Sequence, residues 1–412
     1  MILKETLQGI VKSQEEELKL YEKGIEREKL NEIDVNLPFA IIISGVRRCG
    51  KSTLLRQLMS NTSGAYYFGF DDVRVVDFET TDFQRLDEVF KDEYGPRGYY
   101  FFDEIQNADK WEIFVRTLLN RKKHVVVTGS NASLLSRELG TRLTGRHLTH
   151  ELFPFSFREY LEFIGEKAGE ASFREYLAKG GFPEYLKAEK TEILQELLKD
   201  ILMRDIAVRH KIRNVKTLRE MALYLLSNVS KEFSYNSLKK TFGLGSINSV
   251  ISFISHFEES YLLFSVPRFD YSAKKQLINP KKIYSIDNGL TVANSVSFSS
   301  DKGRMLENAV FLQLRRKHKN IFYFKEKNEC DFLVKKGTKI ISAVQVCHKL
   351  EEENRERETA GLVEAMGKFK LAEGLILTHD QEDELKINNK KILIRPVWKW
   401  LLEKEQHVTA SD

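Results

Sequence analysis

The stretch Ala40-Ile41-Ile42-Ile43-Ser44-Gly45-Val46-Arg47-Arg48-Cys49-Gly50-Lys51-Ser52-Thr53-Leu54-Leu55 constrains this chain more than any other: an apolar strand runs into a glycine-rich loop and then a helix. The spacing Gly45-x4-Gly50-Lys51-Ser52 has a mechanical reason. Glycines let consecutive backbone N–H groups turn inward around phosphates that a Cβ would crowd. Lys51 supplies charge to the β- and γ-phosphates, Ser52 offers a hydroxyl to Mg²⁺, and the helix N-terminus favours an anion. Gly45, Val46, Arg47, Arg48, Cys49, Gly50, Lys51, Ser52 and Thr53 therefore form the candidate site for ATP and Mg²⁺. A chance strand–turn–helix is the alternative, and the flanking pattern argues against it.

A second motif strengthens that reading. Tyr99-Tyr100-Phe101-Phe102-Asp103-Glu104 is a run of large apolar residues ending in two acids, as suits a strand buried on both faces of a parallel sheet. Asp103 is placed to hold Mg²⁺ through water, and Glu104 to orient or deprotonate the attacking water. For Glu104 alone, an acidic cap on the helix around Lys110–Asn120 is the competing reading. A third strand, His124 to Asn131, is expected beside the first. Thr128, Ser130 or Asn131 at its end would then reach the γ-phosphate, unless Gly129-Ser130-Asn131 is merely a turn.

These motifs carry a resemblance. The chain resembles bacterial and archaeal AAA-type ATPases that pair a P-loop domain with a C-terminal domain of unknown function. Thr128-Gly129-Ser130-Asn131, Gly145-Arg146, Phe153-Pro154-Phe155-Ser156-Phe157, Gly180-Gly181-Phe182-Pro183 and Asp200-Ile201-Leu202-Met203-Arg204-Asp205 support it. ATPases of this class commonly need an arginine at the γ-phosphate, in cis or from a neighbouring subunit of a homo-oligomer. Arg142 and Arg146 are the candidates, and the resemblance favours Arg146.

The fold class expected is α/β: a P-loop parallel sheet, a helical and winged-helix segment, and a C-terminal α/β domain. Five blocks follow along the chain. Residues 1–36 read as an amphipathic helix, 37–156 as the ATPase domain and 157–232 as a helical lid or linker. Residues 233–269 read as a winged helix whose second helix, from Ser246, offers small polar residues to a major groove. Residues 270–412 read as a further α/β domain, in which Trp398 and Trp400 pack. Residues 268–349 hold 17 Lys/Arg against 7 Asp/Glu, an excess of ten, while the whole chain is only +5. Clusters such as Lys274-Lys275, Lys281-Lys282 and Arg315-Arg316-Lys317 are expected to attract a phosphate backbone, making DNA the candidate partner; a solvated basic face is the alternative.

That last block also resembles a restriction-endonuclease-like core. Glu307 on a helix and Asp331 on a strand match an acidic metal site. Gln345 stands where a carboxylate is common, and Cys347 where lysine is expected. Lys349 lies on the same face as Cys347, but a degenerate core kept as a binding platform is the expectation. Three outputs remain: a DNA-stimulated ATPase, a nucleotide-switched interaction scaffold, or an ATP-regulated nuclease.

The 412 residues suffice for two or three domains, and 42% hydrophobic with 30% charged residues is ordinary for soluble protein. No run approaches the roughly 18 apolar residues of a membrane span, and Met1-Ile2-Leu3-Lys4-Glu5 opens no signal core, so a cytoplasmic protein is expected. Cys49, Cys330 and Cys347 fit neither a disulfide framework nor a zinc pattern.

Overall fold

The structure, a computed structural model, describes residues 1–130, 143, 145–295 and 302–403. It divides into two compact units, Met1–Phe153 with Glu259–Tyr261, and Pro154–Glu258 with Leu262–Asp412.

In the first unit, strands β1 (Ala40–Ser44), β2 (Ala65–Gly69), β3 (Tyr99–Asp103), β4 (His124–Gly129) and β5 (His147–Glu151) form one sheet in the order β2-β3-β4-β1-β5. Every pairing is parallel, and Ala40 to Ser44 align with Val125 to Gly129 on one side and with His147 to Glu151 on the other. The parallel order explains why β1, β3 and β4 read as apolar runs rather than as alternating patterns: both faces are covered. The strand ending at Gly129 lies beside β1, as its sequence led us to expect. Helices α1 (Lys4–Leu20), α2 (Lys51–Ser60), α3 (Asp82–Tyr94) and α4 (Trp111–Asn120) complete the unit.

Helix α1 belongs to this unit's core rather than standing apart. Leu7, Ile10, Val11 and Gln14 recur at helical spacing and are buried, the three apolar ones within the cluster that contains Tyr66, Phe68, Phe90 and Phe102. Gln14 closes that face by exchanging hydrogen bonds with the backbone of Gly69, at 2.9 and 3.0 Å. Leu20 and Tyr21, at and just beyond the end of α1, are exposed.

The second unit begins with helices α5 (Phe157–Ile164), α6 (Glu170–Lys179), α7 (Pro183–Ala188), α8 (Thr191–Asp200) and α9 (Val215–Leu226). Ser156 and Glu159 cap α5 reciprocally, which fixes where the helical segment starts. Next come β6 (Glu232–Phe233), α10 (Tyr235–Thr241), α11 (Ile247–Glu259), β7 (Leu263–Pro267), the short α12 (Ala273–Ile278) and β8 (Lys281–Ser285). The three strands form an antiparallel sheet in the order β6-β8-β7. The boundary expected near residue 269 therefore cuts through a sheet whose central strand lies beyond it. Lys281-Lys282 was read as a basic surface cluster; instead both lysines are buried at the start of β8.

After α13 (Asn288–Asn294) and α14 (Lys302–Lys317), a mixed sheet takes the order β13-β14-β12-β11-β10-β9. Its strands are β9 (Ile321–Lys325), β10 (Glu329–Lys336), β11 (Lys339–Val346), β12 (Glu373–Thr378), β13 (Asp383–Ile387) and β14 (Lys390–Pro396), with α15 (Glu352–Phe369) between β11 and β12 and α16 (Val397–Leu402) at the end. The core over this sheet joins Phe324, Cys330 and Leu333 of its antiparallel part to Leu362 and Met366 of α15 and to Ile376 and Ile392 of β12 and β14. The Phe269 N–H donates to the Tyr323 carbonyl at 2.8 Å, joining the connection after β7 to β9.

Candidate active site

The carboxyl ends of β1, β3 and β4 converge on the loop between β1 and α2. Gly45 is required by space: a Cβ there would stand 2.1 Å from the Leu152 carbonyl oxygen. Gly50, at φ 99°, is required by conformation, since that left-handed turn lets the chain enter α2 at Lys51. The two constraints set the loop's course into the N-terminus of α2, where free-ended backbone N–H groups and the Lys51 ammonium suit phosphate oxygens, so the residues fit a nucleotide.

Lys51 is buried, and its ammonium lies 3.2 Å from the carbonyls of Gly45 and Val46 and 3.5 Å from Glu104 Oε1. Asp103 ends β3 with its carboxylate held by the hydroxyls of Thr128 and Ser52. Burial and the neighbouring Glu104 charge push the Asp103 carboxyl up, while the two hydroxyls work the other way. A hydroxyl and a carboxylate already in contact are a sound pair of oxygen donors for Mg²⁺.

Glu104 sits at φ 49°, a left-handed conformation that a side chain adopts at a cost of roughly 1–2 kcal/mol. The strain is held by the Glu104 N–H, which donates to Thr128 Oγ1 at 2.9 Å. Burial pushes its carboxyl up, but Lys51, the Gln106 amide and Arg47 outweigh burial and hold it below the usual range, so it is an anion. The helix-cap reading fails, because α4 starts only at Trp111 and the carboxylate engages Lys51 and Gln106 instead. Thr128, one candidate for touching the γ-phosphate, clamps both acids. Ser130 is buried just beyond β4; Asn131 lies outside the described residues.

Arg146 is not brought to this site. It precedes β5 at the amino end of the sheet, where its carbonyl accepts the Ala40 N–H at 3.1 Å, whereas the loop lies beyond Ser44. Its guanidinium donates to Asn120 Oδ1 at 2.8 Å and to the Leu119 carbonyl at 3.3 Å. Because β1 and β5 run parallel, a residue before β5 cannot meet a ligand beyond β1 of the same chain. Arg142 lies outside the described residues. Cys49 is buried against the Leu152 carbonyl, and burial raises its thiol pKa, which leaves it inert.

Two residues that sequence reasoning missed support the loop. Arg27 is almost completely buried and donates from one nitrogen to the Cys49 carbonyl at 2.7 Å and from another to the Phe153 carbonyl at 2.8 Å. Its own N–H reaches Gln57 Oε1 on α2 at 3.2 Å. Tyr261 hydrogen-bonds Ser44 at 2.8 Å, just before Gly45. Neither carries a local signal, because each arrives from a segment with no motif of its own.

Comparison with known proteins agrees with this geometry. Residues 38–161 match the AAA domain family, residues 170–300 a domain of unknown function (DUF8612), and residues 302–400 another (DUF4143). An uncharacterized protein of Methanocaldococcus jannaschii is 35% identical over 393 residues, covering 88% of each chain. One from Haemophilus influenzae is 28% identical over 388 residues, covering 89% of this chain and 94% of its own. Among solved structures, AMPPCP-bound DnaA from Aquifex aeolicus aligns with 61% of this chain and 88% of its own, at 17% identity and a TM-score of 0.30. The parallel sheet, the glycine loop with its paired acids and the family matches agree: the chain belongs to the AAA-type P-loop ATPases that carry C-terminal domains of unknown function.

Proposed function

We propose that this protein hydrolyses ATP and uses the cycle as a conformational switch on DNA held by its C-terminal half. The observation that carries the ATPase reading is the convergence of Lys51, Ser52, Asp103 and Glu104, with Thr128 fixing both acids. Lys51 moves from the loop carbonyls to the β- and γ-phosphates. Ser52 and Asp103 hold Mg²⁺, which when bound supplies positive charge to the phosphate oxygens. Glu104, kept anionic beside Lys51, accepts the proton of the attacking water. Arg146 can serve only a neighbouring copy's site.

The DNA reading rests on residues 233–269, read as a winged helix, and on the basic residues of the connection that follows them to β8. Asn248 and Ser252 are exposed on the first turns of α11, and Lys274 and Lys275 are exposed in the connection between β7 and β8. Small polar residues on a helix suit a groove, and exposed lysines suit its phosphates. A second reading, a nucleotide-switched protein scaffold, is favoured by the apolar surface of the same connection: Tyr271, Leu277 and Ile278 are each more than two-thirds exposed.

Steady-state hydrolysis with Mg²⁺, with and without duplex DNA at low and moderate salt, tests both. Stimulation that fades with salt and disappears in Lys51→Ala and Glu104→Gln supports the DNA-coupled switch. Hydrolysis indifferent to DNA moves the reading to a protein partner, and nucleotide binding without turnover in the wild type sinks the ATPase reading.

A further inference from the structure

The acids at which the sequence suggested a metal are joined by a lysine it did not. Lys282 lies on β8, the central strand of the β6-β8-β7 sheet, while Glu307 is on α14 and Glu329 and Asp331 are on β10. The Lys282 ammonium stands 2.7 Å from Asp331 Oδ1, 2.9 Å from Glu329 Oε1 and 3.2 Å from Glu307 Oε1. Its side chain is only 4% exposed. Burial works against its charge, but the carboxylates outweigh burial and hold the ammonium protonated.

The three acids are engaged by other donors as well. Asp331 Oδ2 accepts the Val346 N–H at 2.9 Å, Glu307 Oε1 accepts the Tyr284 hydroxyl at 2.6 Å, and Glu329 Oε2 pairs with Lys325 at 2.9 Å. Gln345, at the position where a third ligand is common, turns its amide to Glu358 Oε2 at 2.9 Å and accepts the Asp331 N–H at 3.2 Å. A hard divalent cation would need the same carboxylate oxygens at about 2.0–2.6 Å, the space the ammonium fills.

We propose that Lys282 is the resident cation of this acidic site: a tethered ammonium stands where a divalent metal would, and it locks the β6-β8-β7 sheet onto the C-terminal sheet. The arrangement differs from that of a nuclease lysine, which faces the scissile phosphate while the acids hold a metal. Here the ammonium engages the acids themselves, and Cys347 is buried where the nuclease pattern has its lysine. The assignment is independent of the ATPase reading.

Mn²⁺ titration of the nucleotide-free full-length chain, followed by electron paramagnetic resonance and by thermal unfolding, tests it. Up to about 1 mM the wild type should show no saturable Mn²⁺ site that Asp331→Asn removes, in keeping with a filled site. Lys282→Ala should unfold at a temperature several degrees lower, gain one Mn²⁺ site and recover its midpoint when that site fills. The double variant Lys282→Ala/Asp331→Asn should lose the site again. A wild-type Mn²⁺ site abolished by Asp331→Asn, Mn²⁺-dependent DNA cleavage abolished by the same change, or a folded Lys282→Ala blind to Mn²⁺ would each overturn the proposal. Should Lys282→Ala yield no folded protein with or without Mn²⁺, the wild-type titration decides alone: a site lost with Asp331→Asn ends the assignment, and the absence of such a site sustains it.

Discussion

Lys51 and Lys282 are both nearly buried and both face carboxylates, yet their surroundings set them different tasks. Lys51 follows a glycine turn, rests on two backbone carbonyls at 3.2 Å and stands 3.5 Å from Glu104. Those contacts are long and replaceable, so phosphate oxygens can take the ammonium over. Lys282, near the start of β8 and paired there with β6 on one side and β7 on the other, projects into three carboxylates at 2.7 to 3.2 Å. A buried ammonium is thus available for chemistry when its partners are interchangeable and its backbone can make room. It is structural when neither holds.

The largest effects should separate the two lysines by assay. Lys51→Ala and Glu104→Gln are expected to lower ATP turnover by about 10²–10³-fold or more, the usual scale for removing a charge-stabilising or proton-accepting group. Their unfolding midpoints should stay within a few degrees of the wild type. Lys282→Met should do the reverse. Breaking a buried ion pair by removing one partner costs about 3–5 kcal/mol, so chemical unfolding should shift by that order while nucleotide affinity stays unchanged. If Lys282→Met is as stable as the wild type, the contrast between the lysines collapses.

The difference also explains what was legible in the sequence. The glycine loop, the strand ending Asp103-Glu104 and the neighbouring strand were readable because each depends on spacing within a few residues. So was the helical start at Ser156, which carries its own cap. Arg27, Tyr261 and Lys282 were not, since their partners lie 22, 217 and 49 residues away in the chain. Lys282 was misread for a further reason: two adjacent lysines look like solvated charge, and only the arrival of Glu307, Glu329 and Asp331 from other elements makes burial tolerable. Whether Arg146 serves its own chain or a neighbour was not legible, because a string gives no direction, whereas the parallel register of β5 with β1 fixes it at the far end of the sheet.

A third buried ion sharpens the contrast because backbone N–H groups supply its hydrogen bonds. Asp287 accepts the Gly181 N–H at 2.6 Å and the Leu290 N–H at 2.8 Å, and burial lifts its carboxyl to about 6, with these bonds and Arg316 opposing. A folded-state value above the unfolded one means that the folded state binds the proton more tightly. The resulting stability is complete below about pH 4 and is lost as the pH rises through about 6. The shift from 3.8 to about 6 corresponds to about 3 kcal/mol at full ionisation. Asp287→Asn should remove that slope from the urea midpoint plotted against pH. It should also be less stable at acid pH, since an amide cannot accept both N–H bonds. An unchanged slope would mean that this acid is ionised at little cost.

The smallest effect concerns Arg27, which shows how far the replaceable character of the Lys51 site extends along the loop. Its guanidinium holds the Cys49 and Phe153 carbonyls from two separate nitrogens, and a Cβ on Gly50 would come within 2.6 Å of one of them. The loop is therefore braced through the Cys49 carbonyl by Arg27, while Lys51 rests on the carbonyls of Gly45 and Val46. Lysine at position 27 would keep the charge but cannot reproduce a planar fork. Losing one charge-assisted hydrogen bond costs about 1.5–3 kcal/mol, so Arg27→Lys should raise KM for ATP by roughly ten- to a hundredfold. Because Arg27 acts through the Cys49 carbonyl rather than on the water or the γ-phosphate, kcat should change much less. An Arg27→Lys variant that loses kcat with KM intact would mean that the brace sets the geometry of Glu104 instead, and that the loop is far less yielding than its contacts imply.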